Sequence, residues 1–96
     1  MVTYQVLYWQ EIPSQVEARD GSQMHKEILS QRFQELIDLV ATKRGLIESD
    51  SYLTGWTKGD KTNRSGSVAD VAKSVAAELE QRYEEIRVAA LAIPRV

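Results

Sequence analysis

Apolar residues recur at two different periods in this chain of 96 residues, and that switch of period restricts the fold more than any other feature. Between Thr3 and Ile12 the period is two. Tyr4, Val6, Tyr8 and Ile12 fall on one face, while Gln5, Leu7, Trp9 and Glu11 fall on the other. β-Branched and aromatic residues favour that pleated conformation. Further on, Leu29, Phe33, Leu36, Ile37 and Val40 recur at helical spacing, and so do Val68, Val71, Ala72, Val75, Leu79, Tyr83 and Ile86. A chain holding both patterns must lay helices against a sheet to bury either one.

The punctuation divides the chain further. Both faces of the first strand carry apolar groups, which predicts a place inside the sheet rather than at its edge. Pro13-Ser14 is expected to end it, because proline has no N–H to donate. Gln15 to Arg19 returns as a second strand, closed by the turn residues Asp20-Gly21-Ser22. The first helix is expected from about Met24 to Arg44. Lys43-Arg44 then complement the helix dipole, Gly45 supplies the exit, and Leu46 is placed to close it with an apolar contact. Tyr52 to Thr57 or Lys58 reads as a third strand, with Gly55 marking a bulge or a close backbone approach. Ser67-Val68-Ala69-Asp70 resembles a capping box and opens a second helix to about Ala92, with Pro94 beyond its end. The expected architecture is one α+β domain over residues 1–96. It has a small sheet of about three strands, two helices packed on one face, and the order ββαβα.

Composition excludes several classes of function. The chain has no cysteine, so disulfides, thiolate metal sites and thiol catalysis are ruled out. Twelve basic and fourteen acidic residues leave a net charge of -2, which gives no general attraction to nucleic acid or to an anionic membrane. No apolar run approaches the length of a membrane span, and Met1 to Gln10 lacks the pattern of a signal peptide. The expectation is a cytoplasmic protein with no cofactor, no metal, no nucleic-acid partner and no membrane association.

The residues that carry chemistry are few. His25 is the single histidine and reads as a surface side chain, since no further ligands gather near it in sequence. Glu11 and Glu17 flank Pro13, and nothing in their spacing directs them at each other. They read as surface charge, as do Glu78, Glu80, Glu84 and Glu85. Ser14, Ser30, Ser65 and Ser67 lack a nucleophile-elbow setting. Two constellations remain. Leu7, Trp9 and Trp56 form an aromatic patch suited to an interface, if the tryptophans do not instead complete the core. Lys61, Arg64, Ser65, Gly66 and Ser67, preceded by Lys58, make a basic approach to a helix N-terminus, where free N–H groups could hold an anion. A solvated loop with an ordinary N-cap is the alternative.

Tyr8-Trp9-Gln10-Glu11-Ile12-Pro13-Ser14-Gln15-Val16-Glu17-Ala18 resembles the small bacterial domain known as the virulence factor family. The resemblance continues through Leu29 to Gly45, and through Gly66-Ser67 into the helix with Val75-Ala76-Ala77-Glu78-Leu79. It implies a domain that occurs alone or attached to larger bacterial proteins, including helical-repeat proteins. It implies no catalytic residues. The expected role is a non-catalytic protein-interaction or assembly module, docking on a protein partner or on itself as a homodimer. The alternative is a ligand-binding or enzymatic domain that grips an anionic small molecule at the loop before the second helix.

Overall fold

A computed structural model of the chain describes residues 1–45 and 53–92. Three strands open the fold as an antiparallel meander: β1 (Val2–Trp9), β2 (Ile12–Asp20) and β3 (Gln23–Ile28). Helix α1 (Gln31–Lys43) follows, then the short strands β4 (Trp56–Lys58) and β5 (Thr62–Arg64), then α2 (Val68–Gln81) and α3 (Tyr83–Leu91). The class is α+β, as the two periods require. Among the described residues there are more elements than the expected three strands and two helices.

Each difference has a local cause. Trp9 and Ile12 pair directly, so β1 ends at Trp9 and a two-residue turn joins it to β2, with Gln10 at φ 52°. Pro13 therefore does not break a strand but lies inside β2, fully buried and paired with Tyr8. The ladder from β3 begins only at Gln15, and the register of β1 with β2 slips by one residue just before it. A proline is tolerated at such an irregularity. The next turn is also two residues long. Asp20 pairs with Gln23, and Gly21 adopts φ 62°, open to glycine at little cost. The chain after this turn is therefore the strand β3, and not the start of a helix at Met24. Helix α1 begins seven residues later than expected, after Ser30. The Leu46 contact, the start of the expected third strand at Tyr52, and Pro94 lie outside the described residues.

The strand order is β3-β2-β1, with β4 and β5 both on the outer side of β1. β4 pairs with Leu7–Trp9 and β5 with Val2–Tyr4. Between the two, β1 spends Gln5 and Val6 while the outer chain spends Gly59, Asp60 and Lys61. This edge is thus one strand interrupted by a bulge, and Gly59 N donates to Val6 O at 2.8 Å inside it.

Cross-strand partners share a face. Val2, Tyr4 and Val6 with Val16 and Ala18 form the face covered by α2, which packs across β2 and β3. Val71, Ala72, Val75 and Ala76 meet them there and are buried. Helix α1 is held at the hairpin end of the sheet. Leu29 N donates to Ser14 O at 3.0 Å before it starts, and Arg44 after it ends pairs with Glu11 at 2.5 Å. It buries Phe33, Leu36, Ile37, Val40 and Ala41. The expected long second helix turns at Arg82, where Tyr83 meets the edge of Phe33 at 5.1 Å and lies under the Arg32 guanidinium at 4.3 Å. Those contacts hold α3 beside α1. Among the described residues no buried side chain is polar or charged.

Candidate interaction face

Thr3, Gln5 and Leu7 point to the face that α2 leaves uncovered. Register places Arg19, Glu17 and Gln15 beside them from β2, and Met24, Lys26 and Ile28 from β3. Lys58 stands opposite Leu7 on the other side, and Lys61 lies in a shallow depression with Thr3, Gln5, Glu17 and Arg19. None of these residues is buried. Among the described residues the face combines four cations, Arg19, Lys26, Lys58 and Lys61, with one carboxylate, that of Glu17.

That carboxylate reports how close the charges are. Arg19 Nε donates to Glu17 Oε1 at 2.8 Å. This hydrogen bond holds the Glu17 carboxyl below the usual range against the opposing pull of burial, and the charges of Arg19, Lys58 and Lys26 add to it. One carboxylate is shared among cations from three strands, so the described residues of the face carry an excess of positive charge while the chain as a whole is negative.

The expected interface residues are placed differently from one another. Leu7 and Trp56 are half-buried, and Trp56 packs against the core. Trp9 is fully buried and belongs to the core, so it presents no ring to a partner. The tight hairpin sets Trp9 beside the equally buried Ile12, at the end of the sheet where α1 is fastened.

The basic loop also divides. Arg64 turns to α2, bonding Glu78 at 2.6 Å and Ser74 at 3.3 Å and lying 5.3 Å from the centre of the Tyr4 ring. Each partner of that pair moves the other. Its hydrogen bond to Glu78 raises the Arg64 pKa, and the same bond lowers that of Glu78. Ser67 caps α2, its hydroxyl accepting from Asp70 N at 3.1 Å. Ser65 and Gly66 are exposed, and Gly66 takes φ 131°. Arg64 and Ser67 are thus committed to the fold, and Lys61 lies with the open face instead. Sequence reasoning missed Arg19, Lys26 and Lys58 as members of that face. The alternation of β2 and β3 could have grouped them once β3 was read as a strand.

His25 projects to the opposite side of β3, half-buried, with Nε2 at 2.9 Å from Glu27 Oε1. Among the described residues no three His, Cys, Asp or Glu side chains are placed to hold a metal ion. No helix among them is long and apolar enough to cross a membrane.

The family model described as virulence factor matches residues 7–92, nearly the whole chain. The chain belongs to the virulence factor family. The match takes in the last three residues of β1, Leu7–Trp9, and every later strand and helix, so it covers Arg19, Lys26, Lys58 and Lys61 of the basic face. No curated protein and no solved structure matches the chain.

Proposed function

We propose that this virulence factor domain is a protein-interaction module whose docking surface is the helix-free face of the sheet. The observation that supports this reading is the charge of that face, where Arg19, Lys26, Lys58 and Lys61 surround Glu17 in a chain of net charge -2. Such a surface steers toward an acidic protein. Leu7 between Lys58 and Gln15, with Trp56 at the same end, supplies the apolar contact that an interface centre needs. A second copy is a poor occupant, because two such faces carry the same sign. The role requires no cofactor, and binding rather than catalysis is its output.

The test is affinity capture with the wild type and with Lys58→Glu/Lys61→Glu. Both lysines are exposed, so the variant should keep its melting temperature. Specific partners should be lost with the double variant, and wild-type binding should weaken as salt rises. Identical captures by the two proteins would reject the face.

The anionic-ligand reading is favoured by no observation of comparable weight, since Arg64 already has a carboxylate partner in Glu78.

A further inference from the structure

The two edges of the sheet are not equivalent. One edge, β4 and β5, consists of two three-residue strands separated by the bulge at Gly59–Lys61. Short strands and bulges are means of blocking an edge. The other edge, β3, runs for six residues in unbroken register with β2 and contains neither proline nor glycine.

The direction of its backbone groups follows from one bond. Leu29 N donates inward to Ser14 O at 3.0 Å, in continuation of the β2–β3 register. Antiparallel pairs alternate, so Glu27, His25 and Gln23 also turn their backbone groups toward β2. The N–H and C=O groups of Met24, Lys26 and Ile28 then point away from the sheet. The side chains of these same three residues stand on the helix-free face, where Met24 is 46% and Ile28 75% exposed. The edge therefore presents a backbone ladder flanked by an apolar, a cationic and an apolar side chain.

We propose that β3 accepts an extended acidic peptide as an additional antiparallel strand. The occupant follows from Lys26. A second copy pairing two-fold through Lys26 would set Lys26 against Lys26, and like charges directly opposite are destabilising. A carboxylate opposite Lys26 gives a favourable cross-strand pair instead, and apolar residues two places to either side cover Met24 and Ile28. The positive charge of the neighbouring face extends the same preference. Backbone hydrogen bonds supply the affinity and the alternating side chains the selectivity, as in other strand-addition complexes. This inference rests on the helix-free face as the docking surface and names the partner segment that reaches it.

The experiment is an amide NMR titration of the full chain with the capped peptide Val-Thr-Glu-Thr-Val. The expected result is saturable shifts along β3, with slowed hydrogen exchange at the Met24, Lys26 and Ile28 amides. A peptide carrying Lys in place of Glu should bind at least tenfold more weakly. Lys26→Pro removes an outward N–H without touching the β2 ladder, so it should abolish binding while leaving the thermal melt cooperative. Lys26→Gln keeps the N–H and should lose only the preference for Glu over Lys, which guards against a Pro variant that fails to fold. Absence of binding at millimolar peptide would overturn the proposal. So would concentration-dependent dimerisation through β3, or tighter binding of a single-stranded oligonucleotide at the same amides. Shifts confined to Leu7, Lys58 and Lys61 and indifferent to Lys26→Pro would remove the edge and leave the face. Binding at β3 that is undiminished in Lys58→Glu/Lys61→Glu would count against the face and leave the edge.

Discussion

Trp9 closes β1 with a side chain that alternation assigns to the helix-free side, yet it is fully buried. A strand's side-chain period describes directions within the pleat, not what lies beyond the strand's end. Here the two-residue turn places Trp9 against Ile12, and α1 is fastened to the same hairpin through Arg44 and Glu11. Trp9→Ala should cost about 3–5 kcal/mol, as expected for emptying a large core site, measured by urea unfolding. Phe33→Ala should fall in the same range, since Phe33 is also buried and holds Tyr83. Leu7→Ala removes a half-buried side chain on the face that α2 leaves uncovered and should change stability by about 1 kcal/mol or less. Similar losses at Trp9 and Leu7 would mean that the helix-free face is covered.

At the scale of elements, the junction between α1 and α2 depends on Glu80. Its carboxylate accepts from Ser30 N at 2.6 Å and Ser30 Oγ at 2.8 Å, and it pairs with Arg32 at 3.0 Å. Burial pushes the Glu80 carboxyl up, but the bonds from Ser30 and Arg32 together bring it below its usual range. A lowered folded-state value means that the stabilisation is complete above the pKa of the unfolded carboxyl, about 4.3. It is then lost as pH falls through the lower folded value. Glu80→Gln should therefore destabilise by about 1 kcal/mol or less at neutral pH, the worth of a hydrogen bond to a charged group reduced by solvent screening at this part-exposed site. The wild-type and variant melting curves should converge on acidification. A gap that persists at low pH would show that packing, not charge, joins the helices. The β2–β3 turn offers a second test. Gly21 sits at φ 62°, and a Cβ there would meet nothing within 4 Å. Gly21→Ala should cost about 1 kcal/mol from backbone conformation alone, with the β3 amide shifts retained.

For the molecule as a whole, the balance of charge differs between the layers of the described residues. Arg19, Lys26, Lys58 and Lys61 lie on the uncovered sheet face, while Glu78, Glu80, Glu84 and Glu85 lie on the helices. Helix carboxylates are partly neutralised by Arg64, Arg32, Arg82 and Arg87, and among the described residues the cations of the face share one carboxylate, Glu17. Exposed pairs of this kind contribute little to stability, so reversing Lys58 and Lys61 should leave the melting temperature within a few degrees. If the face is the docking surface proposed above, their effect falls on association, which should weaken with salt and with charge reversal alike. In sedimentation the wild type should remain monomeric without its partner. A salt-resistant dimer would place a second copy on the face after all.

The core stripes were legible from spacing alone. Phe33, Leu36 and Val40, and likewise Val71 and Val75, are buried because a helix of any origin puts such residues on one side. Ser67 was equally legible as a cap, since its bond to Asp70 N needs only the local chain. The family followed from the residues around Tyr8 to Ala18. Tertiary structure decided the rest. β3 carries helix-compatible residues and becomes a strand because β2 offers it a ladder through a glycine turn. Arg64 was one cation among several in sequence, and only the packing of α2 over β1 brings Glu78 to it. The basic face likewise gathers residues from β2, β3 and the edge chain that no spacing connects. Periodicity and capping act over a few residues and can be read along the chain, whereas strand pairing and charge partnership join distant residues and exist only once the layers have met.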